Sequence, residues 1–370
     1  MIAPSPLQET LQQYLIPYDT STGEIIREGA AAGEYEAKLL SEFIPWGEDG
    51  CQVLGTAGSV ELEYAAIKKT CGVFDASCRG TIMLRGSDRL DCVNRLTTQK
   101  VDTLKNGDSC VAFVTSRKGS IIADVLIHVM EGQVLLSVDI TQVNELHDHI
   151  NSYIVMEEVE VTNCTAKYHW LWCFGPEYYL DVNQQEEFLL PVDFIGIQGV
   201  AILLLKEQLV DKWTSIVEAG ARPIGWYALN MARVEQRMPM SMIDFDSSYL
   251  PHETNLIQSR VRFDKGCYLG QEVVARIESL GTPKRKIVSL LFESEDLPVA
   301  GTQIWPDSTG SGTPVGIVTS SAISPLRGGV PIAIATIKKG HNALHETVFA
   351  YIGPTLHQAI IHDIGASETS

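Results

Sequence analysis

The residues best placed to do chemistry lie between Gly225 and Arg276, and the sharpest of them is a thiol. The string Lys265-Gly266-Cys267-Tyr268-Leu269-Gly270-Gln271-Glu272 sets Cys267 between two glycines. Gly266 is its immediate neighbour and would let a backbone approach a ligand closely. Lys265 precedes the thiol by two residues and Arg276 follows it by nine. Cations near a thiol favour the thiolate, the reactive and metal-binding form. From Arg260 to Lys286 there are seven basic and three acidic residues, a local +4 in a chain of net charge −18. Such an inversion suits an anionic ligand, a carboxylate or phosphate. Spacing alone also permits a blander reading, a small buried cysteine beside a solvated charged face.

Other candidates are weaker. His147 and His149 stand two apart on an expected helix and so do not face each other. His252 lies in a Leu-Pro-His-Glu loop and reads as a solvent-exposed histidine. Thr115 to Ser120 is a polar hairpin loop that a phosphate would also suit. Cys71 and Cys78 are seven apart, too weak a spacing for a ligand pair. There is no Gly-x-Gly-x-x-Gly, no Walker loop and no His-Glu-x-x-His.

Composition narrows the class. The 370 residues allow two or three domains. Hydrophobic residues make up 45% and charged residues 20%, as in ordinary globular chains. No apolar run approaches the roughly 18 residues of a membrane helix, so no membrane association is expected. The start, Met1-Ile2-Ala3-Pro4-Ser5-Pro6, lacks a basic n-region and an apolar h-region, so no signal peptide is expected. The eight cysteines are dispersed and none forms Cys-x-x-Cys. They read as reduced thiols of a cytoplasmic protein with no resident metal site. The acidic balance argues against direct binding to duplex nucleic acid.

The elements that must position these residues mix strands and helices without strict βαβ alternation, which predicts an α+β fold. One amphipathic segment runs from Leu7 to Leu15. Ser87 reads as a helix N-cap with Asp88 in the first turn, leading to Leu90, Val93 and Leu96 on one face. Strands are expected at Val111–Ser116, Ile121–Val129 and Gln133–Val138, joined by glycine-containing turns. A helix through Val143, Leu146, Ile150 and Ile154 follows. Strands at Val159–Val161, Tyr168–Phe174 and Gly199–Leu205 and a helix from Leu209 to Gly220 come next. From Pro283 the runs Ile287–Phe292, Val315–Thr319, Ile332–Ile337 and Thr347–Ile352 predict a small barrel or sandwich. The expected domains are residues 1–282 and 283–364, with a disordered tail at 365–370.

The octapeptide around Cys267 resembles the K-G-C-[FY]-x-G-Q-E signature of the YgfZ family, folate-binding proteins related to the glycine cleavage T-protein (aminomethyltransferase). Cys71-Gly72-Val73-Phe74-Asp75-Ala76-Ser77 is similar to the G-[VM]-F-D-[VL]-S start of both families. Arg95 to Val101, Arg233-Val234-Glu235 with Pro239, Leu250-Pro251 and Asn255-Leu256 resemble further landmarks in order. The resemblance implies a three-part arrangement around a central folate channel, with a ferredoxin-like element and a terminal β-barrel. It implies tetrahydrofolate, or a one-carbon derivative, as cofactor. It makes Glu235, Lys265, Gly266, Tyr268 and Arg276 folate-site residues and Cys267 the functional thiol. The carboxylate of Glu235 would accept two adjacent pterin donors. It also implies iron–sulfur client proteins as partners, tRNA-thiolating enzymes among them.

T-proteins carry a G-G-x-x-D-D strand whose first Asp sits at the reactive folate nitrogens. The matching stretch here is Gly119-Ser120-Ile121-Ile122-Ala123-Asp124. Ala123 cannot move a proton, and strand alternation is expected to aim Asp124 away from the channel. With Cys267 in place of the usual Asp of a G-D-F-x-G string, this favours an accessory role over aminomethyl transfer. A tetrahydrofolate-dependent aminomethyl- or methyltransferase is the alternative. A folate sensor without thiol chemistry is a third reading.

Overall fold

The computed structural model describes residues 5–13, 42–47, 50–177, 188–192 and 196–362. In chain order the first elements are α1 (Gln8–Gln13), β1 (Glu42–Trp46), β2 (Cys51–Thr56), α2 (Val60–Lys69), β3 (Gly72–Asp75) and β4 (Arg79–Arg85). Then come α3 (Arg89–Leu96), β5 (Ser109–Thr115), β6 (Ile121–Met130), β7 (Gln133–Asp139), α4 (Val143–Asn151), β8 (Glu160–Asn163) and β9 (Tyr168–Phe174). The middle holds β10 (Phe188–Val192), β11 (Gly199–Leu205), α5 (Leu209–Glu218), β12 (Arg222–Ile224), α6 (Trp226–Glu235), α7 (Ile257–Arg260) and α8 (Gln271–Leu280). The last strands are β13 (Arg285–Phe292), β14 (Gln303–Trp305), β15 (Gly316–Ser324), β16 (Val330–Lys338), β17 (Thr347–Ile352) and β18 (Thr355–His362). The fold is α+β, as the mixed pattern predicts.

The chain divides into two compact units, one of Met1–Arg79, Ala166–Val192 and Gln198–Asn230, the other of Gly80–Thr165, Asp193–Ile197 and Met231–Ser370. The first unit holds a sheet of order β10-β11-β9-β3-β12. Its strands are antiparallel except β12, which runs parallel to β3. Strand β9 is buried on both faces, which is why Tyr168–Phe174 reads as a nearly continuous apolar run. Val73, Leu171, Cys173 and Ile202 pack with Trp213 and Ile216 of α5. Leu11 of α1 joins this core, and the end of the amphipathic segment, at 14–15, lies outside the described residues.

The second unit holds a sheet of order β5-β6-β7-β4-β8 and a closed six-stranded barrel, β13-β16-β15-β14-β17-β18. Helices α3 and α4 cover one face of the sheet. Val93 and Leu96 from α3 and Leu146 and Ile150 from α4 pack on Ala123, Val125 and Ile127 of β6. The N-cap of α3 is Asp88, not Ser87. Both residues turn instead to the segment at 158, where the Ser87 hydroxyl donates to the Glu158 carboxylate (3.0 Å) and Asp88 accepts the Glu158 N–H (2.9 Å). Closure leaves the barrel without a free strand edge. Four of its strands contain the expected runs; β14 is only three residues long, and β18 carries His357 and Gln358, so neither stands out by hydropathy. A further core links Phe113 and Ile121 to Val234, Phe245, Val274 and the barrel residues Ile287 and Ile332. The expected tail at 365–370 lies outside the described residues.

Candidate functional site

Helix α3 ends at Leu96, and the last carbonyls of a helix have no partner within it. Lys265 satisfies this end of the helix. Its Nζ donates to the carbonyls of Asn94 (2.7 Å), Thr97 (2.7 Å) and Gln99 (2.6 Å). A cation there also opposes the helix dipole. Burial pulls the Lys265 ammonium down to about 8, against the pull of Asp102. Sequence spacing cast Lys265 as a cation for the Cys267 thiol, and the family resemblance cast it as a folate-site residue. In the structure all three donors of the ammonium go to backbone carbonyls, which makes Lys265 a support for this segment.

The segment after Lys265 is pinned on both sides. The Leu269 N–H donates to the Arg95 carbonyl (2.9 Å), and the Leu269 carbonyl accepts the Thr115 hydroxyl (2.6 Å). Gly270 has φ +82°, and a Cβ there would lie 2.4 Å from the Ser116 carbonyl oxygen. The hairpin loop 116–120 therefore serves as the floor on which this segment sits. Tyr268 is buried with its ring 5.2 Å from Lys265 Nζ. Its hydroxyl is buried and has no hydrogen-bond partner among the described residues. Burial pushes that phenol up to about 12.

What this scaffold presents is Gly266 and Cys267, both exposed. A Cβ at Gly266 would meet nothing within 4 Å, so packing gives no reason for glycine at that position. Of the eight cysteines, Cys267 alone is exposed. Cys110 is half-buried, and burial pushes its thiol up to about 12. The native chain is accordingly expected to show one fast thiol toward an aromatic disulfide reagent at pH 8. Cys267→Ser should remove that phase and leave only slow reaction; a second fast thiol would contradict the burial pattern.

Part of the local basic excess is paired within the protein. Arg260 pairs with Asp124 (3.0 Å), Arg262 with Asp264 (3.2 Å) and Arg285 with Glu253 (3.2 Å), while Lys265 is held as described. Arg276 is exposed on α8. Arg276 and Lys284 stay exposed, so the basic character of 260–286 is reduced, not removed. The reading of His252 as solvent-exposed is corrected: its side chain is 8% exposed and bonded to Glu278 of α8 (3.1 Å).

Glu235 closes α6 and is buried at 7% exposure. One of its oxygens, Oε1, accepts the Ser324 hydroxyl and the Leu326 N–H at the end of β15. Two residues earlier, Arg233 is fully buried. Its Nη1 donates to Asp244 (2.6 Å) and to the Met238 carbonyl (3.0 Å), and its Nη2 to Ser320 (2.6 Å). Asp244 also accepts from Met240 N–H (2.9 Å), Thr319 (2.6 Å) and Ser320 (2.7 Å). This network ties the segment after α6 to β15. Arg237 (φ 58°), Met242 (φ 66°) and Asn255 (φ 62°) hold left-handed backbone in and just after that segment. Such residues cost about 1–3 kcal/mol each and gather at functional sites. Cys267 and Glu235 thus take their positions from different supports, α3 and a hairpin for the thiol and the barrel for the carboxylate.

Comparison with known proteins agrees with this construction. Residues 54–185 match the GCVT N-terminal domain, and residues 285–363 match the glycine cleavage T-protein C-terminal barrel domain. The chain is 25% identical over 322 residues to an aminomethyltransferase of Halalkalibacterium halodurans, covering 80% of this chain and 86% of the relative. It is 26% identical over 348 residues to an aminomethyltransferase of Symbiobacterium thermophilum, covering 85% and 90%. The crystal structure of the glycine cleavage system aminomethyltransferase T from Bartonella henselae superposes with a TM-score of 0.79 at 18% identity, over 88% of this chain and 94% of that one. The protein has a T-protein-like fold.

In this T-protein-like fold the G-x-x-x-A-D strand is β6, and its two faces are the reverse of the sequence expectation. Ala123 lies in the apolar core under α3 and α4 with Val125 and Ile127. A carboxylate there would be buried without a partner. Asp124 stands on the opposite face, 8% exposed, where Arg260 Nε holds its Oδ1 at 3.0 Å. Ala123 thus sits in packed hydrocarbon on the face that α3 and α4 cover. Asp124 is the functional candidate that strand reasoning passed over. The signal was present: Ala123, Val125, Ile127 and Val129 form an unbroken apolar stripe, whereas Asp124 and His128 share the other face.

Proposed function

We propose that this T-protein-like chain is a tetrahydrofolate-binding cytoplasmic accessory protein that supports assembly or repair of iron–sulfur enzymes, tRNA-modifying ones among them. Cys267 is its functional thiol. The observation that carries this reading is the presentation of Cys267: the one exposed cysteine of eight, on a segment whose flanking residues Lys265, Leu269 and Gly270 are fixed by the fold. The octapeptide's resemblance to YgfZ proteins gives the class. A thiol held in this way is suited to accept sulfane sulfur from a donor persulfide, which leaves as a thiol, to ligate a labile iron–sulfur unit or to form a mixed disulfide by exchange with a client disulfide.

Aminomethyltransferases of this family use tetrahydrofolate. The residues present suit such a ligand. The Tyr268 hydroxyl is a buried donor without a partner among the described residues, and buried polar groups are rarely left so. Glu235 offers a buried carboxylate. A bound reduced folate would supply the one-carbon-carrying amine; the chain's part is to orient it through donors and acceptors such as these.

Calorimetric titration with tetrahydrofolate tests the binding. Glu235→Ala should weaken it by about 1.5–3 kcal/mol, one charge-assisted bond. Equal affinity would remove Glu235 from the site. Cys267→Ser should bind folate like the wild type yet fail to restore an iron–sulfur client enzyme in cells. Full rescue by that variant would end the thiol role.

Asp124 supports a second reading, a tetrahydrofolate-dependent aminomethyl- or methyltransferase, since a carboxylate is kept on the face of β6 away from the core. Turnover with tetrahydrofolate and an aminomethyl donor, lost in Asp124→Asn, would establish it.

A further inference from the structure

Two other cysteines meet inside the first unit. Strands β3 and β9 are antiparallel neighbours in register Gly72↔Phe174 and Val73↔Cys173. Cys71 precedes β3 by one residue, so it falls on the same face as Val73 and diagonally across from Cys173. Both side chains belong to one apolar cluster with Val73 and Leu171, at 2% and 1% exposure. The neighbouring Cys173 thiol draws the Cys71 thiol below the usual cysteine range, against the opposing effect of burial. Arg222 N–H donates to the Cys71 carbonyl (2.9 Å) and fixes the backbone beside it. Diagonal cross-strand neighbours stand about 7–8 Å apart, so the two strands must draw slightly together to reach disulfide geometry.

We propose that Cys71 and Cys173 are a redox modification site, closing to a reversible disulfide under a hydroperoxide. The Cys71 thiolate attacks the peroxide O–O bond, gaining an S–O bond and releasing hydroxide, which leaves as water with a proton. Cys173 sulfur then displaces the sulfenic hydroxyl, forming the S–S bond and releasing a second water. The two sulfurs together lose two electrons, and the peroxide gains them. A small oxidant is required by the burial of the pair, since a bulky disulfide could not reach it. The placement gives the bond a consequence. The chain leaves the first unit after Arg79 and re-enters it at Ala166. Cys71 lies before the exit and Cys173 after the return, so the bond would fasten the first unit's sheet across the whole excursion.

The test uses the full chain in its folded form. It is treated with a few equivalents of hydrogen peroxide, quenched, unfolded in iodoacetamide and digested without reductant. The expected product is a peptide pair joined through Cys71 and Cys173, lacking two hydrogens and released by dithiothreitol. It should form in Cys78→Ala as in wild type, while the same treatment of urea-unfolded chain gives scattered pairs. The oxidised chain should also melt at a higher temperature than the reduced one, because the link closes a loop of roughly 100 residues. If peroxide oxidises Cys267 to completion while Cys71 and Cys173 are recovered as alkylated thiols, or each is driven to sulfinic acid without linkage, the proposal fails.

Discussion

Replacing Asp244 by alanine is expected to lower the stability of the second unit by about 3–5 kcal/mol, the usual cost of stranding one half of a buried ion pair. Both side chains of the Arg233–Asp244 pair are 0% exposed, and they meet at 2.6 Å. Without Asp244, the guanidinium keeps only the Met238 carbonyl and the Ser320 hydroxyl among its hydrogen-bond partners described above, and Thr319 and Met240 N–H lose an acceptor. A loss of that size is a large share of the roughly 5–15 kcal/mol that holds a domain folded. Urea unfolding of the full chain would read it as a lower midpoint at unchanged slope. Replacing both residues by apolar ones of similar volume should cost less than the two single changes summed, because no charge is then left alone. A single-variant loss below about 1 kcal/mol would mean that water reaches this network. The expected functional effect follows from the same contacts: Glu235 lies two residues from Arg233 on α6, so loosening this end of the helix should weaken tetrahydrofolate binding even though neither partner is proposed to touch it.

The two glycines around Cys267 should behave in opposite ways. Gly270→Ala places a methyl in the left-handed region, a conformational cost of about 1–2 kcal/mol. It also drives that methyl to 2.4 Å from the Ser116 carbonyl oxygen and 2.9 Å from Gly119 Cα. Both obstacles are backbone, so the hairpin loop or the start of α8 must move. The expected outcome is a loss of at least about 2–3 kcal/mol and a changed rate for the fast thiol, because Cys267 is carried on the displaced segment. Gly266→Ala meets nothing within 4 Å and is expected to fall within about 0.5 kcal/mol of wild type. If Gly266→Ala keeps its stability and thiol rate but fails in the client assay, the glycine serves the approach of a partner to Cys267. Unaltered client function would leave the Gly266–Cys267 pair without that reading. Equal stability of both variants would contradict the geometry at residue 270.

The periodic apolar pattern by itself determined most of the elements and the α+β class, since strand and helix periods depend only on which faces must be buried. It also narrowed the C-terminal region to a small barrel or sandwich, the two ways β-branched runs separated by Gly- and Pro-rich turns cover their faces. The tertiary structure decided for closure. The octapeptide was likewise visible as a string of particular residue types. Its division of labour was not. Lys265 looked like a cation beside a thiol, and only the carbonyls of Asn94, Thr97 and Gln99, more than 160 residues earlier, turn it into a helix clamp. The basic excess shrank for the same reason: charge counts along a chain ignore partners such as Asp124 for Arg260, 136 positions away. The two faces of β6 were decided by where α3 and α4 pack, which sent Ala123 inward and left the carboxylate of Asp124 on the other side. Residue type and spacing are local properties, whereas burial and hydrogen-bond partners are set by contacts between distant segments, and these separate a scaffold residue from a working one.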